Sequence, residues 1–592
     1  MSDLGAGPAR TASGTGETLS LPAFVGLAVA FALLVLGVYR GALGGPFISD
    51  DDLLIVTNPY LARPFAELVP AAFAPTGEAR HYAGGNYAPV LHLAHAVEGR
   101  LFRGDTRGYH LVNIAVHALN GALLFALLLQ AGLPRSVSLF ASALFVLHPA
   151  NVESVAWISQ LRTLLAMAGA LSALLLFPRA PLASAALFAF GLLAKASASF
   201  VLPMAAIFAW SRYRRGEPVR QEIVGLAAWL AVFAVYAPIQ MSVFSSVSRA
   251  VIDPYPDAWS HLRGIAAIGA RYLAMAATGY GASAYHEPEP VRSNLDPWWL
   301  AGLVAGVCLA ARLAWTLRRA DPEAGWWLGA LAAWAPISQW LPFMFAMGDR
   351  YLYFALPGLL GGSCLAVRET CRRAESRLGA APRALPWLRR AAFAGAALWV
   401  AAFATQASQR APLWQAEGRL LQDAATHYPD GAVGHYVRAV VALEHRDPDT
   451  ALAELRRSAE RGGGFSHPFF GDPWLMPLFG DPRFRDLIRD MAQMEIDAAR
   501  ERPPTSQSQL YILANDYYLR GERDEAIALL EQCLRVGGPL DADALRLAQR
   551  LRLERSGRSE TDPFSSLPIT GPKPSFDFPS GRKLGADEWP ET

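Results

Sequence analysis

The first two thirds of the chain is dominated by apolar stretches long enough to cross a bilayer, and nothing else in the sequence constrains the fold as strongly. A spanning helix needs about 20 mostly apolar residues, with a range of about 17–25. Such runs occupy 21–39 (LPAFVGLAVAFALLVLGVY), 111–130, 161–177, 224–243, 299–316, 326–341, 351–367 and 391–405. The run 137–147 is short and needs its polar flanks to span. The stretch 182–210 is too long for one upright span and is interrupted at Ala194-Lys195-Ala196-Ser197, so it reads as two short helices meeting at the lysine. The sum is about eleven spans. Charged residues are only 18% of the chain, against about 25% in soluble domains. The net charge of +2 gives no basic excess of the kind that marks a nucleic-acid partner. The run 21–39 has one upstream arginine and no small-x-small cleavage pattern, so it reads as an anchor and not as a signal peptide.

Arginine placement orients the spans, because short cytoplasmic loops carry the excess of cations. Arg368, Arg372, Arg373, Arg377, Arg383, Arg389 and Arg390 follow one span, Arg212, Arg214, Arg215 and Arg220 another, and Arg318 and Arg319 a third. All three loops are therefore expected on the cytoplasmic side. Counting spans between them puts the N-terminal segment 1–20 inside and everything beyond about 407 outside, in a multi-pass inner membrane with an extracytoplasmic or periplasmic C-terminal domain. That parity requires the split at Lys195. The same count gathers the loop 44–109, the segment His148 to Trp157, Lys195, the loop 244–296 and Met347 to Arg350 on the outer face, and convergence of separate polar clusters on one side is the mark of a site.

Three consecutive carboxylates, Asp50, Asp51 and Asp52, follow the first span. A carboxylate there can take a proton from a hydroxyl or help hold a divalent metal, although a solvated acidic loop would look the same. Lys195 is one of three lysines, with Lys573 and Lys583, in a chain that otherwise uses arginine. A cation between two half-spans is costly unless it snorkels or meets an anion, and a compact ammonium suits one phosphate oxygen. Arg350 opens a span in Gly348-Asp-Arg-Tyr-Leu-Tyr353, where it can bind an anion or pair with Asp349. His148 precedes a helix-ending Pro149, and Glu153 follows. His110, Asn113, His117 and Asn120 share one helix face, a pattern more typical of helix–helix hydrogen bonding than of metal binding. No His-x-x-x-His or Cys-x-x-Cys spacing occurs, so no zinc site is expected. Cys308, Cys364, Cys371 and Cys533 give no disulfide argument.

Taken in order, these clusters resemble a known family. The set runs from an acidic pair after the first span, through Tyr87-Ala88-Pro89, Gly108-Tyr109-His110 with Asn113 and His117, and His148-Pro149 with Glu153 and Trp157, to Lys195 and Arg350-Tyr351-Leu352-Tyr353. It is similar to the transmembrane-and-tetratricopeptide O-mannosyltransferases and their bacterial relatives, of the GT-C class of polyprenyl-phosphate-sugar glycosyltransferases, over roughly residues 20–535. The family's Tyr-Arg-Pro has lost its arginine at Ala88, its expected Asp is Glu98, and its charged pair after the tryptophan is Arg162-Thr163. The resemblance implies a mostly α fold, with a GT-C-like transmembrane domain over 21–406 and a tetratricopeptide-like domain over 407–555; residues 556–592, rich in Pro, Ser and Gly, read as a disordered tail. It also implies transfer of a sugar from a polyprenyl-phosphate donor to a hydroxyl acceptor, a protein Ser or Thr, with inversion. Asp50 with Asp51 would be catalytic, Lys195 and Arg350 would bind the donor phosphate, and Asp52, Tyr87, Glu98, His110, His148, Glu153, Arg162, Tyr351 and Tyr353 would support them. No cofactor is required, and a divalent metal would have its place at Asp50 and Asp51.

Beyond 408 two blocks carry the small-residue and aromatic spacing of helix pairs: Trp414 to Leu455, and Leu510 to Leu530 with Gly521 at a turn. A stack of such pairs presents a concave face for a polypeptide acceptor, or a lid over the site. The departures at Ala88 and Thr163 also suit an alternative, an inactive membrane scaffold whose tail binds a partner. A transporter would want paired broken helices in repeated halves, and only one break is evident.

Overall fold

The structure, a computed structural model, describes residues 19–556 apart from 84, 248–254, 256, 341–345, 379–384, 463–471, 502, 505 and 538–539. Lys573, Lys583 and the tail read as disordered lie outside the described residues, as does nearly all of the N-terminal segment. The protein is a mostly α-helical membrane protein. Among the described residues there is no strand, and an isolated antiparallel bridge joins His286 to Met347.

Helix α1 (Leu21–Tyr39) leads into short helices of the first loop, α2 (Phe65–Phe73) and α3 (Pro89–Phe102). Then come α4 (Thr106–Gln130), α5 (Arg135–Val146), α6 (Asn151–Ala156) and α7 (Leu161–Leu176). The long apolar stretch after it breaks where the sequence predicts, into α8 (Pro181–Ala194) and α9 (Val201–Arg214), with Lys195 extended at φ −162° and a 3-10 turn between. The series continues through α10 (Arg220–Val247), α11 (Ala258–Thr278), α12 (Pro297–Arg318), α13 (Glu323–Trp334), α14 (Asp349–Leu378) and α15 (Leu385–Arg410). Among the described helices, six are long and apolar enough to cross a membrane: α1, α4, α7 with its preceding turn, α10, α12 and α15. Helices α5 and α8 are apolar but shorter.

Two sequence expectations change. The expected span at 326–341 is a 12-residue helix, α13, followed by a 3-10 turn that carries Pro336. At 1.5 Å per residue its rise is about 18 Å, short of the ~30 Å hydrocarbon core. The expected outer loop 244–296 holds a 21-residue helix, α11, started by the Asp257 side chain accepting from Ser260 N. Arg263, Arg271 and His261 depress its hydropathy, which hid it. Trp259 and Arg263 bond to Asn294 just before α12, and Gly279 at its other end lies against Pro149 and Gln406.

Close approach of α7 and α8 fixes the site. They form an antiparallel hairpin in which a Cβ on Gly169 would lie 2.7 Å from Gly191 Cα, so only glycine allows this contact. The start of α7 therefore meets the end of α8. Similarly, Gly358 of α14 rides on the Trp326 carbonyl, with 2.6 Å left for a Cβ.

The predicted domain boundary at 406–407 falls inside α15, which runs on to Arg410. Helices α16 (Glu417–His427), α17 (Ala432–Glu444), α18 (Pro448–Gly462), α19 (Pro482–Glu501), α20 (Gln507–Arg520), α21 (Arg523–Val536) and α22 (Asp541–Arg555) follow. Neighbours pack as hairpins, notably α17 with α18 and α20 with α21, the latter turning at Gly521 with φ +85°. This part docks on the membrane helices. Trp414 stacks on Trp157 with ring centroids 5.5 Å apart, Asp423 pairs with Arg410, and the Tyr428 hydroxyl meets His286 Nδ1 at 2.9 Å.

Candidate functional site

The α7–α8 hairpin places Lys195 against the first turn of α7. Its ammonium donates to Thr163 Oγ1 at 2.9 Å, and Thr163 in turn donates to Gln160 Oε1. Arg162, one residue earlier, is 7% exposed and reaches Asp50 through Nη2 at 3.4 Å. Its Nε and Nη1 are buried and meet no acceptor among the described residues. Orphaned buried donors cost about 1–3 kcal/mol each, so these point to something that can accept from them.

The two aspartates of the acidic pair have different surroundings. Asp50 is exposed, its side chain 48% accessible, facing Arg162. Asp51 is fully buried; one oxygen accepts from Ile48 N at 3.1 Å and the other from Ser159 N at 2.8 Å. Burial pushes its carboxyl up to about 6, against the lowering effect of those bonds. It staples the loop to the turn before α7. Asp52 is exposed at the start of a π turn. Each Asp51 oxygen thus accepts a backbone N–H, while Asp50 faces Arg162. Among the described residues no three His, Cys, Asp or Glu side chains are grouped to hold an ion.

Arg350 does not pair with Asp349. Its guanidinium forms an ion pair with Glu153 of α6, whose other oxygen accepts from Arg350 N at 2.6 Å. One carboxylate thus neutralises the side chain and caps an orphan N–H at the start of α14, where the helix dipole favours a negative charge. The guanidinium also donates to the Tyr351 hydroxyl at 3.1 Å and lies 5.5 Å from the Trp157 ring centre. Asp349 pairs instead with His286 Nε2 at 2.7 Å and with Arg410 at 3.6 Å. Asp50, Glu153, Arg162, Lys195 and Arg350 all lie within electrostatic reach of one another. Tyr285, from the segment after α11, shares that field.

The remaining expected site residues are placed elsewhere, as fasteners. His110 Nε2 bonds the Gly45 carbonyl at 3.2 Å. Asn113 donates to the carbonyls of Val155, Trp157 and Ile158, while His117 and Asn120 both meet the Tyr353 hydroxyl, which ties α4 to α14. His148 bonds the Ala276 carbonyl at 3.1 Å and accepts from Ala150 N. Tyr87 donates to the Phe73 carbonyl, and Glu98 pairs with His95 at 2.7 Å. The helix-face pattern on α4 is thus interhelical hydrogen bonding. Thr163, read from the sequence only as a missing charge, proves to be the partner of Lys195. Its signal was its place beside Arg162 at a helix start.

Such a site holds two cationic groups with unfilled donor capacity beside one accessible carboxylate. It can bind an anion and accept a proton a short distance away. Compared with known proteins, the chain is 33% identical over 142 residues to protein O-mannosyl-transferase Tmtc1 of Drosophila melanogaster, covering 24% of this chain and 16% of that protein. It is 31% identical over 145 residues to a protein O-mannosyl-transferase of Caenorhabditis elegans, covering 23% of this chain and 21% of the relative. The chain therefore matches about a fifth or less of the length of these relatives. No family model matches, and no solved structure matches.

Proposed function

We propose that the protein is a membrane glycosyltransferase that moves a hexose, mannose by the names of its relatives, from a polyprenyl-phosphate donor to a hydroxyl of a polypeptide. The observation that carries this reading is Arg162, buried with two unpartnered N–H groups between the exposed Asp50 carboxylate and the Lys195 ammonium. The acceptor hydroxyl gives its proton to Asp50 as its oxygen bonds to the anomeric carbon. The bond from that carbon to the phosphate oxygen breaks, and the phosphate leaves with the electron pair and one more negative charge. Attack from the face opposite the phosphate inverts the anomeric centre. Lys195 and the free edge of Arg162 meet the charge that develops on the leaving phosphate, which is where fixed donors lower a barrier most. Arg350, already neutralised by Glu153, orients this wall more than it supplies charge.

The site would face the extracytoplasmic side. This is supported by α9, which starts near Lys195 and ends at Arg212, Arg214 and Arg215, so that the arginine-rich end is the opposite one. The α16–α22 hairpins, tetratricopeptide-like in spacing, would present the acceptor; docking of Trp414, in the turn before α16, on Trp157 and of Tyr428, at the end of α16, on His286 supports that role. The test is donor binding by the purified full chain in nanodiscs, with polyprenyl-phosphate-linked mannose as the probe. Wild type binds it, and Lys195→Ala weakens binding at least tenfold with unchanged membrane abundance. Equal binding by both would remove the donor-site assignment.

A further inference from the structure

At the end of the bundle away from Lys195, α9 and α12 flank an open, shallow cleft of about 520 Å3 lined by Ile207, Trp210, Arg214, Leu317 and Arg318. The three α9 residues are spaced i, i+3 and i+7 and so form one stripe along about 10 Å of helix. The stripe grades from aliphatic through indole to guanidinium. The Arg214 guanidinium lies 5.8 Å from the Trp210 ring centre. Across the cleft, Leu317 and Arg318 repeat the apolar-then-cationic order at the last turn of α12.

Several arginines near the cleft are held by carboxylates. Arg212 pairs with Glu217 and Glu222, Arg215 with Glu217, Arg312 with Glu323 and Arg373 with Glu369. Arg214 and Arg318 are exposed and have no ion-pair partner among the described residues, and the cleft contains no carboxylate. What sets Arg214 and Arg318 apart from Arg220 and Arg319, which also lack an ion pair among the described residues, is that they line the apolar cleft together with Ile207, Trp210 and Leu317.

We propose that this cleft binds an anionic glycerophospholipid, the headgroup phosphate held between Arg214 and Arg318 and one acyl chain lying on Ile207, Trp210 and Leu317. A guanidinium suits a phosphodiester because its planar fork donates to two oxygens at once, and an indole suits the depth where headgroup gives way to chain. A net negative lipid is specified over a zwitterionic one because two cations meet no counter-charge in the cleft.

The experiment uses the full-length protein in detergent, titrated with phosphatidylglycerol or phosphatidylcholine and read by native mass spectrometry and by lipid-dependent thermal stabilisation. Wild type binds one phosphatidylglycerol in preference to phosphatidylcholine and is stabilised by it. At roughly fivefold per arginine, Arg214→Ala with Arg318→Ala weakens that binding roughly thirty-fold. The control Arg215→Ala with Arg220→Ala removes the same charge from the same end and leaves binding within threefold of wild type. Unchanged binding in the cleft variant, an equal loss in the control, or no preference over phosphatidylcholine would each overturn the proposal. Thermal stability of the variants in phosphatidylcholine reports on folding separately.

Discussion

Replacing Arg162 with methionine should separate activity from stability in an unusual direction. Methionine fills much of the same volume and carries no donors. Two orphaned N–H groups at about 1–3 kcal/mol each are relieved, while the lost contact is one 3.4 Å pair with a half-exposed carboxylate, worth about 1 kcal/mol or less. The balance favours the variant, so its melting temperature in detergent should match or exceed that of wild type. Transfer should fall about a hundred- to a thousand-fold, the usual effect of removing one donor aimed at developing negative charge. Arg162→Lys, which keeps the charge but not the fork, should fall between. The assay is transfer of labelled mannose from polyprenyl-phosphate mannose to peptide in proteoliposomes, beside a thermal melt of the same preparation. A variant that melts lower and transfers normally would show that Arg162 holds the fold together, and the reasoning would be wrong.

Other substitutions should act differently. Glu153→Gln leaves the buried Arg350 guanidinium without its counter-charge and should cost about 3–5 kcal/mol, seen as a clear drop in melting temperature and in membrane abundance. Thr163→Val removes the Lys195 hydrogen bond and should slow transfer about tenfold, whereas Thr163→Ser should keep it. Asp51, with a folded-state carboxyl raised from 3.8 to about 6, contributes stability that is complete below about pH 4 and lost as pH rises through about 6, a change of about 3 kcal/mol. Melts of wild type and Asp51→Asn should therefore lie close together in acid, where the neutral carboxyl resembles the amide, and separate toward neutral pH with the variant the more stable; a difference that does not vary with pH would contradict this.

The six long apolar helices and the break at Lys195 were legible because lipid leaves the backbone few options, and a lone lysine in such a run has few explanations. The stripe of His110, Asn113, His117 and Asn120 was legible for a similar reason, since helical spacing dictates which residues share a face. Helix α11 was not, because Arg263 and Arg271 conceal its packing face in any hydropathy average. Asp50 and Asp51 are identical as letters; only the turn before α7, which brings Ser159 N onto one of them, makes one a staple and leaves the other open. The pairing of Arg350 with Glu153 joins residues 197 apart in sequence, beyond any local signal, and the nearer Asp349 was the natural wrong choice. Arg162 was underrated because a charged residue at a span boundary normally faces water, whereas here it is buried at the start of α7.

The central claim, that Asp50 takes the acceptor proton beside a phosphate-binding wall, is tested most directly by single-turnover transfer with Asp50→Asn. The account predicts that this variant binds polyprenyl-phosphate mannose as wild type does and transfers none of it to peptide. Transfer at the wild-type rate would contradict it.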